Sequence, residues 1–160
     1  MTPVGRLAAA AVAQGFQRET DTRLVQMHPH AQSVLLLAPG EMTFDAEFLK
    51  PFVFQISVRE LREADYLDFF TTPELTFDDP EFDEAVLVRG SPFGVRQLLS
   101  PRVRLCLLDL RRVATGFTLD AAHLRAVCAV TEASAGVAAD RFVAAVTALT
   151  QPAENRGAYR

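Results

Sequence analysis

The segment Phe77–Gly90 constrains the fold of this chain more than any other stretch of its sequence. It carries five acidic residues, continues as a short apolar run and stops at a glycine. Asp79-Pro80 has the form of a helix start, in which a capping side chain precedes a proline at the first helical position. The segment therefore predicts barely more than one turn of helix, followed by a short strand over 85–89 that the glycine ends.

Hydroxyl–proline pairs predict helix starts elsewhere in the chain, because a hydroxyl side chain caps a helix and proline is favoured at its first position. Such pairs occur at Thr2-Pro3, Ser91-Pro92 and Ser100-Pro101, among others. They predict an N-terminal helix and two helices within 92–112. A further helix, which begins at Ala139-Asp140, is predicted to form the C-terminal end of the fold.

The helix predicted over 102–112 has an apolar stripe, and one of the two cysteines belongs to it. The stripe consists of Val103, Leu105, Cys106, Leu108 and Leu110. Cys128 lies in another apolar stretch. Because a reactive thiolate needs partial exposure and a nearby positive charge, we interpret both cysteines as buried structural residues.

Alternating apolar residues predict the clearest strand at Pro51–Arg59. Successive side chains of a strand point to opposite faces, so every second residue shares a face. The core-facing set is Phe52, Phe54, Ile56 and Val58. The preceding range 41–50 remains open between a strand and a helical turn.

A hairpin is predicted nearer the N-terminus. Residues 22–27 alternate, Ser33–Ala38 is a continuous apolar strand of the buried type, and His28–Gln32 between them contains a proline and reads as a turn. Residues 114–131 are harder to assign. Their alanines favour a helix capped by Asp120, but the same range also fits two strands joined by a short turn.

Part of the sequence resembles a recurring bacterial pattern. Its elements are Asp79-Pro80-Glu81-Phe82-Asp83, then Val86-Leu87-Val88, then Leu98-Leu99-Ser100-Pro101. On these motifs, residues 77–111 resemble a group of uncharacterised bacterial domains of unknown function. The resemblance implies a following two-stranded hairpin and one last helix, which favours strands over 114–131. No catalytic role attaches to the pattern.

These observations predict an α+β fold with a mainly antiparallel sheet. The sheet is expected to use residues 22–59, 84–89 and 115–130, with helices at the N-terminus, at about 92–112 and at the C-terminus. A chain of 160 residues fits one domain. We place that domain at 1–150 and expect a flexible tail over 151–160.

Composition excludes some classes of function. A net charge of -4 gives no support to nucleic-acid binding, which requires a clustered basic surface. No apolar run approaches the ~20 residues of a transmembrane helix. The start of the chain loosely resembles a signal peptide, but its short, alanine-rich run is better interpreted as a packed helix. Secretion stays the minority alternative, and two cysteines in apolar surroundings favour a reducing, cytoplasmic location.

Two groups of residues are candidates for metal binding. Asp79, Glu81 and Asp83 occupy the first, third and fifth places of a calcium loop, but the later glycine and glutamate of such a loop are missing. His28 and His30 flank a proline, and two imidazoles alone are too few for a structural zinc site. The sequence predicts no cofactor, and it contains neither a nucleophile elbow nor a phosphate-binding loop.

The sequence favours a non-enzymatic interaction or accessory domain of a bacterial protein, whose partner is another protein or a second copy of the chain. The candidate interaction surface combines acidic and aromatic residues of the middle segment, namely Asp78, Asp79, Glu81, Phe69 and Phe70. One alternative is a metal-assisted hydrolase that uses the acidic region 60–84. Another is a small-ligand-binding domain with an apolar cavity between sheet and helices.

Overall fold

A computed structural model describes residues 2–61 and 74–151 of the chain. The helices in this part are α1 (Pro3–Ala13), α2 (Pro80–Ala85), α3 (Pro92–Leu98), α4 (Pro101–Val113) and α5 (Glu132–Thr150). The strands are β1 (Gln17–Arg18), β2 (Arg23–Met27), β3 (Ala31–Ala38), β4 (Glu41–Phe48), β5 (Ile56–Glu60), β6 (Val86–Gly90), β7 (Gly116–Leu119) and β8 (His123–Ala129).

The strands form one antiparallel sheet in the order β1-β2-β3-β4-β8-β7-β5-β6. Strands β1 to β4 are neighbours in chain order. Strand β8 pairs with β4, and β7 lies between β8 and β5. The predicted α+β class, with helices at both ends of the chain, is confirmed.

The helices that pack on the sheet lie on one of its faces. α5 lies against β4 and β8, and it is flanked by α1 and α4. The Phe142 ring of α5 stacks on the Phe44 ring of β4, with 4.7 Å between centroids. Most other buried residues of α5 are small: Ala135, Ala138, Ala139, Ala145 and Ala148. Small side chains let the helix backbone approach the strands closely, so the core is densely filled.

Burial alternates along the central strands, as expected for a sheet covered on one side. In β3 the residues Ala31, Ser33, Leu35 and Leu37 are buried, and their neighbours are partly or fully exposed. β4 follows the same rule. Within the described residues, the second face of the sheet over β2, β3, β4 and β8 has no helix packed on it.

Residues 114–131 form a hairpin, which decides between the two alternatives. β7 pairs with β8, and β8 pairs with β4 on its other side. The alanines of this range favour a helix only locally. A strand with partners on both sides satisfies its backbone groups and buries Leu124, Ala126 and Cys128 against the helices.

Two predicted boundaries are wrong. β5 starts at Ile56, not at residue 51, because the Phe52 N–H bonds to the Ala121 carbonyl outside the ladder. Buried and exposed side chains still alternate before Ile56, since Phe52 is buried and Val53 is 63% exposed. α5 starts at Glu132, not at residue 139, because Thr131 and Ser134 form a reciprocal capping box.

The buried stripe of α4 also differs at one position from the stripe predicted from the sequence. Leu105 is 56% exposed, and Leu107 is buried in its stead. The hairpin β2–β3 is confirmed, and residues 41–48 of the open range form strand β4. The tail predicted over 151–160 lies outside the described residues except for Gln151. None of the helices in the described ranges combines the length and apolarity needed to cross a bilayer.

Gly90 ends β6 at a point where two backbone segments meet. Its φ is +139°, a conformation that L side chains rarely adopt. A Cβ at this position would lie 2.2 Å from the Gln55 carbonyl oxygen, which already accepts a hydrogen bond from the Ser91 N–H. Only glycine fits here without moving the start of β5.

Gly90→Ala is therefore expected to lower the free energy of unfolding by at least about 2 kcal/mol, measured by urea denaturation. Gly136→Ala is the matched control, because Gly136 lies in α5 and its added Cβ meets nothing within 4 Å. That control is expected to raise the free energy of unfolding by about 0.5–1 kcal/mol. Equal stability of the two variants would contradict this account of Gly90.

His28 is half-buried in the turn between β2 and β3. Its Nε2 lies 2.8 Å from the hydroxyl of Ser33, a fully buried residue. Burial removes water from the ring, which disfavours the imidazolium and lowers the pKa of His28 below its ordinary value of 6.5.

The lowered pKa predicts a specific pH dependence of stability. As the pH falls below 6.5, the unfolded chain takes up a proton at His28 before the folded chain does. The free energy of unfolding should fall until the pH drops below the folded-state pKa. The free energy of unfolding is measured by urea denaturation at about pH 8 and at about pH 5. Between these two values, we expect it to fall less for His28→Gln than for the unmodified protein. A loss of stability in His28→Gln as large as that of the unmodified protein would refute this.

Candidate functional site

The acidic carboxylates singled out in the sequence are engaged within the fold. Asp79 caps α2 and binds the Nε of Arg104 at 3.1 Å. Glu81 forms an ion pair with Arg112. Asp83 accepts hydrogen bonds from the backbone N–H groups of Phe77 and Asp79, at 3.0 and 3.2 Å. These contacts attach α2 to α4 and close the loop before it.

The same contacts bear on the metal hypotheses. Asp79, Glu81 and Asp83 each meet a different partner, so they do not gather around one point. His28 belongs to the turn before β3 and not to α2, and its ring bonds to the Ser33 hydroxyl. In the part of the chain that the structure describes, no group of three or more His, Cys, Asp or Glu side chains could hold a metal ion.

The predicted interaction surface is only partly described. Asp78 is exposed and has a φ of +53°, which is uncommon for a residue other than glycine. Phe69 and Phe70 lie outside the described residues. A docking role for this surface stays a prediction.

The two cysteines differ in their surroundings. Cys128 is fully buried, and burial raises the pKa of its thiol to about 11, so the thiolate is scarce at neutral pH. Cys106 is half-buried and packs against the core rather than within it.

A groove of about 740 Å³ lies on the open face of the sheet. Cross-strand register places its residues in rows. One row runs from Arg23 through Leu36 and Thr43 to Val127. The next row contains Val34, Asp45, Arg125 and Thr118. The groove therefore has an apolar floor interrupted by a few charged side chains.

The apolar floor consists of outward-pointing residues of two strands. Leu36 is 50% exposed, and Val34 and Val127 are half-buried. Outward positions of a sheet with one solvated face are normally polar. Val34 and Leu36 lie together on β3, and Val127 lies on the other side of Thr43 of β4, so this part of the face is more apolar than usual.

A hydrogen-bonded triplet stands beside this floor. His123 Nδ1 lies 2.8 Å from Asp45 Oδ1, and Arg125 Nε donates to Asp45 Oδ2 at 3.1 Å. An ionised carboxylate only accepts hydrogen bonds, so Nδ1 of His123 carries the proton. Both oxygens of Asp45 are thus occupied, and the carboxylate fixes the guanidinium of Arg125.

Glu60 marks the other end of the groove, where β5 and β7 separate. The two strands pair at Val58–Leu119 and Arg59–Thr118. One step further, the Phe117 N–H donates to the Glu60 carboxylate at 2.9 Å instead of to a backbone carbonyl. The side chain of Glu60 therefore closes a gap in the ladder and borders a smaller cavity of about 180 Å³.

Asp45, His123 and Arg125 are not among the site residues predicted from the sequence. Their contacts join strands that lie far apart in the chain, so no local motif reveals them. A signal for the floor existed in Ser33–Ala38, whose continuous apolar run is typical of a strand covered on both faces. The structure covers one of those faces with helices and, in the described residues, leaves the other open.

Comparison with known proteins identifies a shared fold. No protein-family model matches the chain, and no curated protein matches it in sequence. Among solved structures, it is similar to the mycobacterial trehalose monomycolate transport factor A, TtfA. The TM-score is 0.54 at 11% sequence identity, and the match covers 93% of this chain and 97% of that chain. At this identity the likeness establishes the fold alone.

Proposed function

We propose that this protein is a non-enzymatic accessory domain that binds an apolar molecule in the groove on the open face of its sheet. The observation that carries the proposal is the apolar floor formed by Val34, Leu36 and Val127 on a face that no described helix covers. Leaving such side chains in water has a cost, which a bound apolar molecule removes.

The dimensions and chemistry of the groove support a ligand site. Its volume of about 740 Å³ falls within the usual range for small-molecule pockets. Apolar surface with a few well-placed polar groups is also the usual composition of such pockets. This revises the third hypothesis drawn from the sequence: the apolar site lies on the face opposite the helices and not between them and the sheet.

The alternatives have weaker support. A metal-assisted hydrolase needs carboxylates that converge on an ion, whereas Asp79, Glu81 and Asp83 stabilise the attachment of α2. A protein-docking role of the acidic segment depends mostly on Asp78, because Asp79 and Glu81 already form ion pairs with α4. The structural neighbour is named a transport factor, which is compatible with an accessory role in a bacterial protein. Neither Cys106 nor Cys128 forms a disulfide, which fits a cytoplasmic location.

Binding of the neutral dye Nile red tests the groove directly. Leu36→Glu places a charge in the apolar floor and is expected to weaken dye binding at least about tenfold. Leu105→Glu is the matched control, because Leu105 is similarly exposed but lies on α4. It should bind the dye like the unmodified protein, measured by fluorescence titration.

Both variants change an exposed leucine, so their circular dichroism and unfolding midpoints should stay close to those of the unmodified protein. Absence of saturable dye binding to the unmodified protein would refute the proposal. So would an equal loss of binding in the two variants, since the dye would then not occupy the groove.

A further inference from the structure

Arg125 presents unused hydrogen-bond donors at the groove. Its Nε is held by Asp45, and its side chain is 52% exposed. Within residues 2–61 and 74–151, neither terminal nitrogen of Arg125 makes a hydrogen bond. A guanidinium is planar, and its two terminal nitrogens form a fork that matches the two oxygens of a carboxylate. These terminal nitrogens lie at the far end of the guanidinium from Nε, which donates to Asp45.

The two acidic side chains at the groove are compensated within the protein. Both oxygens of Asp45 accept hydrogen bonds, from His123 and Arg125. Glu60 accepts one from the backbone of Phe117. The groove also contains Arg23, which pairs with Glu19 outside the groove lining. Arg125 offers both of its terminal nitrogens as charge-bearing donors, and the complementary ligand group is an anion.

The apolar floor lies next to this fork. In one cross-strand row, Asp45 of β4 lies between Arg125 of β8 and Val34 of β3. Leu36 and Val127 lie in the adjacent row. Two strand spacings of ~4.8 Å separate β8 from β3, so the floor extends about 10 Å from Arg125. A ligand that contacts both needs an apolar part at least about 10 Å long with an anionic group at one end.

We infer that the groove recognises a long-chain fatty acid as its carboxylate. The head group binds the terminal nitrogens of Arg125, and the acyl chain lies across β4 onto Val34 and Leu36. This inference rests on the proposed function of the groove and adds the chemical class of the ligand. Asp45 and His123 act as positioning residues that hold the guanidinium.

The test compares myristic acid with its methyl ester, which has the same chain but no charge. The unmodified protein should bind the acid at least about tenfold more tightly than the ester, as expected for a charge-assisted bidentate contact. Affinities are measured by displacement of Nile red. Arg125→Gln should reduce this preference to less than about twofold.

Arg141→Gln is the matched control, because Arg141 also pairs with a neighbouring acid, Asp140, but lies on α5. It should retain the full preference for the acid. Equal binding of acid and ester by the unmodified protein, or a preference that survives in Arg125→Gln, would overturn the inference and leave the apolar groove standing. Failure of Nile red to bind at all would refute the proposed function instead.

Discussion

The position of α5 over the middle of the sheet is the constraint on which the rest of the structure depends. Its buried face consists mostly of alanines, together with larger residues that include Phe142, whose ring stacks on Phe44 of β4. The small side chains allow close approach, and the stacked rings fix where the helix lies along the sheet. Because α1 and α4 pack on the flanks of α5, these helices all stand on the same side.

One-sided covering explains the character of the opposite face. Along β3 and β4, the inward residues fill the core and the outward residues remain accessible. In many antiparallel sheets the outward set is polar. Here it includes Val34, Leu36 and Val127 beside the fixed guanidinium of Arg125, so the face combines apolar area with a directed positive charge. That combination is the basis of the ligand binding proposed for this face.

The acidic segment has an architectural role that its sequence shows only in part. Cap chemistry is local, and Asp79-Pro80 was sufficient to predict the start of α2. The partners of its carboxylates are not local: Arg104 is 25 residues from Asp79, and Arg112 is 31 residues from Glu81. A cluster of negative charge in a sequence therefore does not by itself identify an exposed docking surface, because arginines elsewhere in the chain can neutralise it.

The sequence by itself determined the helix starts and the faces of the strands. Caps at Thr2, Asp79 and Ser100 act over three or four residues, and the alternation around Phe52 persists even where the ladder is absent. The start of α5 was missed, since its cap uses Thr131 and Ser134 without a proline.

Only the tertiary structure decided between helix and hairpin for residues 114–131, and it alone assembled the candidate site. β8 is a strand because β4 and β7 satisfy its backbone on both sides, which outweighs the helix preference of its alanines. The same register brings Asp45 to Arg125, 80 residues away in the chain. Pairing between distant strands is set by the packing of the whole sheet, and no local preference of the residues encodes it.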